Sequence, residues 1–466
     1  MTMKMKKFMS SMAFASLALC AFNAWSGNIN VTTARTVANN FIQQASKGSF
    51  KAHAASDIKL VHAEASSAVQ GANDYYAFNI AGGGWILIAG EDRAAQVLGY
   101  SDKGRLDFSN LPTGLEGLLK SYKQEIEYLQ TYTGNDLVAA QPSFNATTGV
   151  DPLIKTSWGQ EAPYFWQCPV YQGEYSAVGC VATAMAQVMY YWQYPQECSS
   201  LPRFYCNSIR QYVPALPATT FDYSLMLKSY CHWDWDKSEL IQDTYTDAQA
   251  QEVAKLSRYC GQAVEMNYSP EGSGAYTSDQ LQAMKNFGYR SSAQYVQKSG
   301  WYSSSYTTEQ WEAMMKTELD AGRPILYAAN DVNGGGGHAF ICDGYDTQGM
   351  FHFNFGWYGT CDGWYVSTAL NMTHRDGDYL RFNSGHEMLV GIQPPEGWIP
   401  PTTVVAGDVN DDGQVNIADV TALIDYLLNQ EATSINTQAA DMNTDNEINI
   451  ADVTALIDML LADNDN

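Results

Sequence analysis

The chain ends in an internal repeat. Asp408-Val-Asn410-Asp-Asp412-Gly413-Gln-Val-Asn416-Ile-Ala-Asp419 returns 33 residues later as Asp441-Met-Asn443-Thr-Asp445-Asn446-Glu-Ile-Asn449-Ile-Ala-Asp452, and both copies run on into Val-Thr-Ala-Leu-Ile-Asp. Each copy sets oxygen-bearing side chains at positions 1, 3, 5, 9 and 12 (Asp408, Asn410, Asp412, Asn416, Asp419; Asp441, Asn443, Asp445, Asn449, Asp452). That is the spacing of a loop that wraps a calcium ion and opens a helix. Gly413 takes the sharp turn at position 6; Asn446 replaces it in the second copy, and Asn tolerates the left-handed conformation better than most residues. Position 12 is Asp rather than the Glu of an EF-hand, and no helix precedes either loop, so each copy is half of an EF-hand. Two Ca2+ ions are expected. They should fold the segment, because without them the anionic and amide groups repel one another or stay hydrated. The plain alternative is an acidic, solubilising tail.

Acid dominates the rest of the chain as well. Asp and Glu number 50 against 26 Lys and Arg, for a formal charge of −24 over 466 residues. That balance argues against nucleic acid and anionic membrane surfaces, both of which need basic patches. With 45% hydrophobic residues the chain can bury substantial cores. Lys4, Lys6 and Lys7 precede a short apolar run, Met12 to Phe22, and the small residues of Ala24-Trp25-Ser26. This reads as a secretory signal peptide over 1–26, cut before Gly27. A lipobox at Leu17–Cys20 is disfavoured by the bulk of Leu19. No later run is long and apolar enough for a membrane helix. The expected location is extracellular, at the cell surface, or periplasmic.

Residues 27–145 read as a small α+β unit. Thr33–Ile42 and Leu115–Tyr132 have apolar residues at helical spacing, and Tyr75–Ile80 and Trp85–Ala89 read as strands joined at Gly82-Gly83-Gly84. Residues 146–394 form the main domain. A Pro-rich linker over 395–404 leads to the repeat unit, 405–466. After Cys20, eight cysteines remain, all between Cys168 and Cys361. If one is a catalytic thiol, the seven left cannot all pair; Cys198 and Cys206 are the nearest candidates for a bridge.

Gly179-Cys180 is followed by good helix formers through Met189. Cys180 therefore starts a helix, where unpaired N–H groups and the helix dipole favour a thiolate. Against this stands a buried Cys packed as a small hydrophobe. A base is available. His338 follows Gly334 to Gly337 and opens the strand-like Ala339–Gly344. Asn354, on the next strand-like segment, could orient the imidazole if the strands return side by side, and Trp357 could shield that bond. Gln160 could join the Cys180 N–H in an oxyanion hole. The bland readings are a turn cap for Asn354 and a loop residue for Gln160. His352 is the reserve base. No His-Glu-x-x-His run suggests a zinc hydrolase.

Gly179–Gln187, Gly337-His338-Ala339-Phe340, Asn354-Phe355-Gly356-Trp357 and Trp158-Gly159-Gln160 with Pro163-Tyr164 resemble the streptopain family of papain-clan cysteine peptidases. Trp85–Arg93 and Val97–Ser101 resemble that family's propeptide and its related inhibitors, and 405–466 resembles a type I dockerin. Phe355 departs from the Asn-Trp-Gly-Trp usual in the family. The resemblance implies an α+β chain: a papain-like two-subdomain peptidase fold, a small α+β prodomain and a small α-helical, calcium-binding dockerin. It implies an endopeptidase made as a zymogen, with Cys180 as nucleophile and His338 as base. The expected partners are a protein or peptide substrate with a hydrophobic residue two before the cut, the chain's own prodomain as inhibitor, and a cohesin-bearing protein touched by Thr421 and Thr454. Two alternatives stay open: a non-catalytic, dockerin-bearing binding component, and a papain-like amidase acting on cell-wall peptides.

Overall fold

The structure, a computed structural model, describes residues 27–45, 58–134, 137–139, 148–234, 237, 239–298, 306–330, 337–369, 372–374, 385–398, 406–410, 415–428, 435–443 and 447–462. The targeting segment, Gly334 to Gly336, Pro400, Pro401, Asp412, Gly413, Asp445 and Asn446 lie outside these residues. The chain divides into two units at Pro395/Glu396.

The first unit opens with helix α1 (Val31–Ala45), strands β1 (Ile58–Ala65), β2 (Asn73–Ile80), β3 (Trp85–Ala89) and β4 (Val97–Ser101), and helix α2 (Thr113–Thr131). Strand β3 is apolar at every position because it is covered on both faces. Its Trp85, Leu87 and Ala89 pack with Leu115, Leu119 and Tyr122 of α2, and Ile86 and Ile88 pack with Ala34, Ala38 and Ile42 of α1. Those α1 residues recur every four positions, one face of a helix.

The sheet does not end at β4. Strands β5 (Gln294–Gln297), β6 (Ile325–Asn330), β7 (Gly337–Tyr345), β8 (Phe351–Asn354), β9 (Gly363–Tyr365) and β10 (His386–Val390) extend it in the order β1-β2-β3-β4-β9-β8-β7-β6-β10-β5. Neighbours run antiparallel. The seam pairs Trp364 with Tyr100 and Tyr365 with Gly99. Glycine is needed there: a Cβ on Gly99 would lie 2.6 Å from the Tyr365 ring, and one on Gly363 would lie 2.7 Å from the Tyr100 carbonyl.

Helices α3 (Cys180–Trp192), α4 (Asp247–Ala263) and α5 (Thr277–Asn286) share a core with Leu326, Ala328, Ala339, Ile341 and Leu389 on one face of the sheet. Helix α2 and α6 (Thr308–Asp320) share the core of the opposite face with Tyr327, Phe340, Phe353 and Phe355. Helix α3 is buried at every position from Val181 to Met189, as its almost unbroken apolar sequence requires. Helices α4 and α6 begin with capping boxes, Thr246 with Gln249 and Thr307 with Gln310.

The second unit holds α7 (Ile417–Leu428), α8 (Thr437–Ala440) and α9 (Ile450–Ala462). Its core is Val409, Val420, Leu423, Ala440, Val453 and Leu456, so the two repeats bury equivalent Val and Leu residues. Among the described residues no helix is long and apolar enough to cross a membrane.

The Cys198–Cys206 bridge does not form; all eight cysteines are free thiols. The two lie on separate ladders, Cys198 opposite Thr219 and Cys206 opposite Gln211. The Cys206 sulfur instead accepts from the Tyr268 N–H at 3.2 Å.

Candidate active site

Cys180 is the first residue of α3, and Gly179 precedes it at φ 87°. A Cβ on Gly179 would lie 2.7 Å from the Met266 side chain and 3.1 Å from the Ser273 carbonyl, so both backbone angle and space demand glycine. The Ala339 N–H donates to the Cys180 sulfur at 3.4 Å. Burial would raise the thiol pKa. The positive charge and hydrogen bond of His338, with the Ala339 and Val181 N–H groups, reverse that and hold it below its ordinary value. Other thiols move the opposite way: burial pushes Cys168 and Cys231 up to about 12 and Cys198 up to about 11.

His338 sits at the start of β7, buried against Phe340 and Phe355. Burial would lower its pKa, but the Cys180 charge, the Cys180 hydrogen bond and the Phe355 carbonyl raise it. Its Nε2 lies 3.0 Å from the Phe355 carbonyl oxygen. A carbonyl only accepts, so Nε2 carries a proton and Nδ1 is left for the thiol. Thiol down and imidazole up is the signature of a thiolate–imidazolium pair.

Asn354 does not meet the ring. It ends β8 opposite Ile341, not His338. Residues directly opposite share a face, and faces alternate along a strand, so Asn354 lies with Ile341 on the α3 side while His338 shares the other parity with Phe340. The Asn354 amide donates to the Thr156 carbonyl at 2.9 Å; its oxygen accepts from Gln187 at 3.1 Å and from the Gly356 N–H at 3.0 Å. Asn354 therefore braces the turn after β8, and the Phe355 carbonyl orients the imidazole. His352 is likewise not in the cleft. Its Nδ1 is 2.6 Å from Asp343, whose other oxygen accepts from the Ile154 N–H.

Gln160 and Trp357 do line the cleft around Cys180 and His338, a space of about 340 Å³ walled also by Phe165, Tyr175, Ser273 and Tyr358. The Gln160 carbonyl accepts from the Val178 N–H at 3.1 Å, which ties its loop to the approach to Cys180. Glu161 and Glu271 add acid to the rim. Sequence reasoning missed Thr113, which reaches the same cleft from the start of α2. It also missed Gly114, where a Cβ would stand 2.7 Å from the His338 ring.

In the second unit the repeats bond alike. Asp419 is fully buried, and its oxygens accept from the Asn410 and Asn416 N–H groups at 3.1 and 2.8 Å. Asp452 is also buried and accepts from Met442 and Asn449 at 2.9 Å each. Asn416 and Asn449 cap α7 and α9 through Ala418 and Ala451 at 2.8 Å. Asp408, Asn443 and Asp441 fall within the described loop segments, whereas Asp412 and Asp445 do not. Among the described residues no three His, Cys, Asp or Glu side chains cluster as a metal site. The donor set is nevertheless all oxygen, which suits calcium.

A cysteine at the start of a central buried helix, with an imidazole on a facing strand, is the arrangement of a papain-like cysteine peptidase. Residues 158–365 match the Peptidase C10 family, 26–126 the Spi protease inhibitor family and 406–461 the Dockerin type I domain. Streptopain of Streptococcus pyogenes is 28% identical over 390 residues, covering 78% of this chain and 92% of that protein. The thiol protease/hemagglutinin PrtT of Porphyromonas gingivalis is 28% identical over 418 residues, 83% of this chain and 45% of that one. A prointerpain A fragment of Prevotella intermedia superposes with a TM-score of 0.56 at 28% identity, over 72% of this chain and 99% of the fragment. Residues 158–365 are a cysteine protease domain of the peptidase C10 (streptopain) family, and the chain also carries an inhibitor-type propeptide domain and a type I dockerin.

Proposed function

We propose that this protein is an exported cysteine endopeptidase made as a zymogen: signal peptide 1–26, inhibitory prodomain 27–145, peptidase domain 146–394, linker 395–404 and dockerin 405–466. The observation that carries this is the placing of Cys180 at the first position of α3 and His338 on β7 in one cleft, where the nearby imidazole lowers the thiol pKa against the effect of burial.

The Cys180 thiolate attacks a peptide carbonyl. Its own N–H, the first of α3 and so without an acceptor inside the helix, and the Gln160 amide receive the oxyanion. His338, held by the Phe355 carbonyl, protonates the leaving amine through Nδ1 and then draws a proton from water to release the acyl group. Trp357 covers this side of the cleft. Thr113 occupies the cleft from the propeptide side, which is how a prodomain keeps substrate out. Calcium would sit in the two dockerin loops, one ion each, held by Asp408, Asn410, Asp412, Asn416 and Asp419 and by their second-copy equivalents. When bound it fixes the loops against their helices, and it takes no part in peptide hydrolysis. The dockerin would tether the enzyme to a cohesin-bearing protein outside the cell.

The test is intact mass and N-terminal sequencing of the purified protein after incubation with reductant, wild type beside Cys180→Ala. Loss of the chain up to a residue within 131–152 in the wild type alone supports the reading. Processing of both proteins at the same rate, with no foreign protease present, refutes it.

A further inference from the structure

Phe355 gives the imidazole its acceptor, yet Phe355 belongs to no strand. It begins an irregular loop, Phe355-Gly356-Trp357-Tyr358-Gly359-Thr360-Cys361-Asp362, between β8 and β9. Four of those eight residues have positive φ: Gly356 at 65°, Tyr358 at 57°, Gly359 at 74° and Cys361 at 63°. Two are not glycine. Such backbone persists only where its surroundings over-determine it. The loop nonetheless delivers three parts of the site: the carbonyl on His338 Nε2, the Trp357 side chain, and the Tyr358 hydroxyl that accepts from the Glu161 N–H at 3.1 Å.

The loop's two ends are tied by one side chain. The Phe355 N–H donates to Asp362 Oδ1 at 2.9 Å, a bond across the base of the loop. Phe355 is fully buried, so without that carboxylate its N–H would lose its partner out of reach of water. Asn354 secures the next N–H, that of Gly356, from the other side. The Asp362 bond is therefore one step from the imidazole: Asp362 holds the Phe355 amide, and the same residue's carbonyl holds Nε2.

We propose that Asp362 is the positioning residue of the catalytic histidine, clasping the 355–362 loop so that the Phe355 carbonyl meets His338 Nε2 and turns Nδ1 to Cys180. It touches neither substrate nor the reacting atoms. The residue type fits the task, since the loop end needs an acceptor short enough to reach a main-chain N–H. Burial lifts the Asp362 carboxyl to about 7; the Phe355 N–H and the charge of His352 on β8 favour its ionised form, and Asp343 on β7 opposes it. The inference rests on Cys180 and His338 being the catalytic pair.

The test reads the pair directly. The full chain is treated with iodoacetamide over a pH series, and alkylation of Cys180 is followed by peptide mass spectrometry in wild type, Asp362→Ala, Asp362→Asn and His338→Ala. The depressed thiol depends on a correctly held imidazole. Asp362→Ala should therefore move the alkylation midpoint up by about one pH unit, and slow the reaction about tenfold below that midpoint. Asp362→Asn, whose amide oxygen accepts the same N–H, should return both to within about threefold of wild type. A wild-type profile for Asp362→Ala, or equal damage from Ala and Asn, overturns the role of Asp362. If His338→Ala leaves the Cys180 profile unchanged, the catalytic pair itself is wrong, which is a separate failure. Should Asp362→Ala not fold, Asp362→Glu carries the test: it keeps the charge but displaces the oxygen by one methylene. It should shift the midpoint upward as Ala would, and a wild-type midpoint overturns the proposal.

Discussion

Replacing Gly179 by alanine should damage both folding and the thiol, and the structure sets the size of the effect. At φ 87° and ψ 137° an L side chain is strained, by about 1–3 kcal/mol for a backbone of this kind. The added methyl would also stand 2.7 Å from Met266 and 3.1 Å from the Ser273 carbonyl. Met266 can turn its flexible end, but it is fully buried, and the Ser273 carbonyl is main chain and must move bodily. Overpacking of this degree adds about 1–3 kcal/mol. The sum is about 2–6 kcal/mol, enough to shift the start of α3 if the chain folds at all. A displacement near 1 Å at Cys180 would cost about a hundredfold in turnover. Urea unfolding followed by tryptophan fluorescence reads the first term. Site-resolved alkylation of Cys180 and hydrolysis of a peptide substrate read the second. A variant within about 0.5 kcal/mol of wild type, with an unchanged Cys180 alkylation profile, would refute the claim that glycine is required at the helix start.

The ion pair predicts a pH window: the thiol is lowered and the imidazole raised. Thiolate should therefore form below the ordinary value of about 8.5 and keep its imidazolium until pH rises through the His338 value. Alkylation of Cys180 should begin at lower pH than that of any other thiol, and His338→Ala should push its onset up. Glu125 of α2 is fully buried and accepts from the Ala369 N–H at 2.6 Å and from Thr368 at 3.0 Å, while its charge favours the ionised form of buried Lys298. Glu125→Ala should destabilise the precursor by about 1–3 kcal/mol, because the buried Ala369 N–H loses its acceptor. A Glu125→Ala precursor that melts within about 0.5 kcal/mol of wild type would count against this propeptide contact. In the second unit, Asp419→Ala removes the acceptor for the Asn410 and Asn416 N–H groups together with a proposed calcium donor. Chelator should lower the circular dichroism of residues 402–466, and the variant should already resemble the chelated state. A spectrum indifferent to chelator would sink the calcium reading.

Local periodicity carried much of the architecture. Apolar residues four apart marked α1, and the unbroken Trp85–Ala89 run marked a strand buried on both faces. Gly179-Cys180 at a helix start and His338 at a strand start were legible because each depends on its immediate neighbours. The continuous sheet was not. Residues 27–145 read as a separate small unit with two strands, yet β4 pairs with β9, and what allows the pairing is the missing side chain at Gly99 and at Gly363. A glycine in a strand signals close approach without naming what approaches.

Asn354 shows the same limit at the scale of one side chain. Its spacing from His338 suggested adjacency, and the segments do form neighbouring strands. Adjacency between strands, however, is settled by register, and a register that pairs Asn354 with Ile341 puts its amide on the face opposite the imidazole. The orienting group is then the Phe355 carbonyl, which any residue supplies, so the family's usual Trp and this chain's Phe can do equal service there. What the sequence must specify is the means of holding that carbonyl still. Asp362, seven residues on and beyond four left-handed backbone positions, supplies it through the Phe355 N–H. A main-chain acceptor makes no demand on the side chain of the residue that bears it and places the demand on the residue that anchors the loop, which is why side-chain motifs singled out Cys180 and His338 but passed over Asp362.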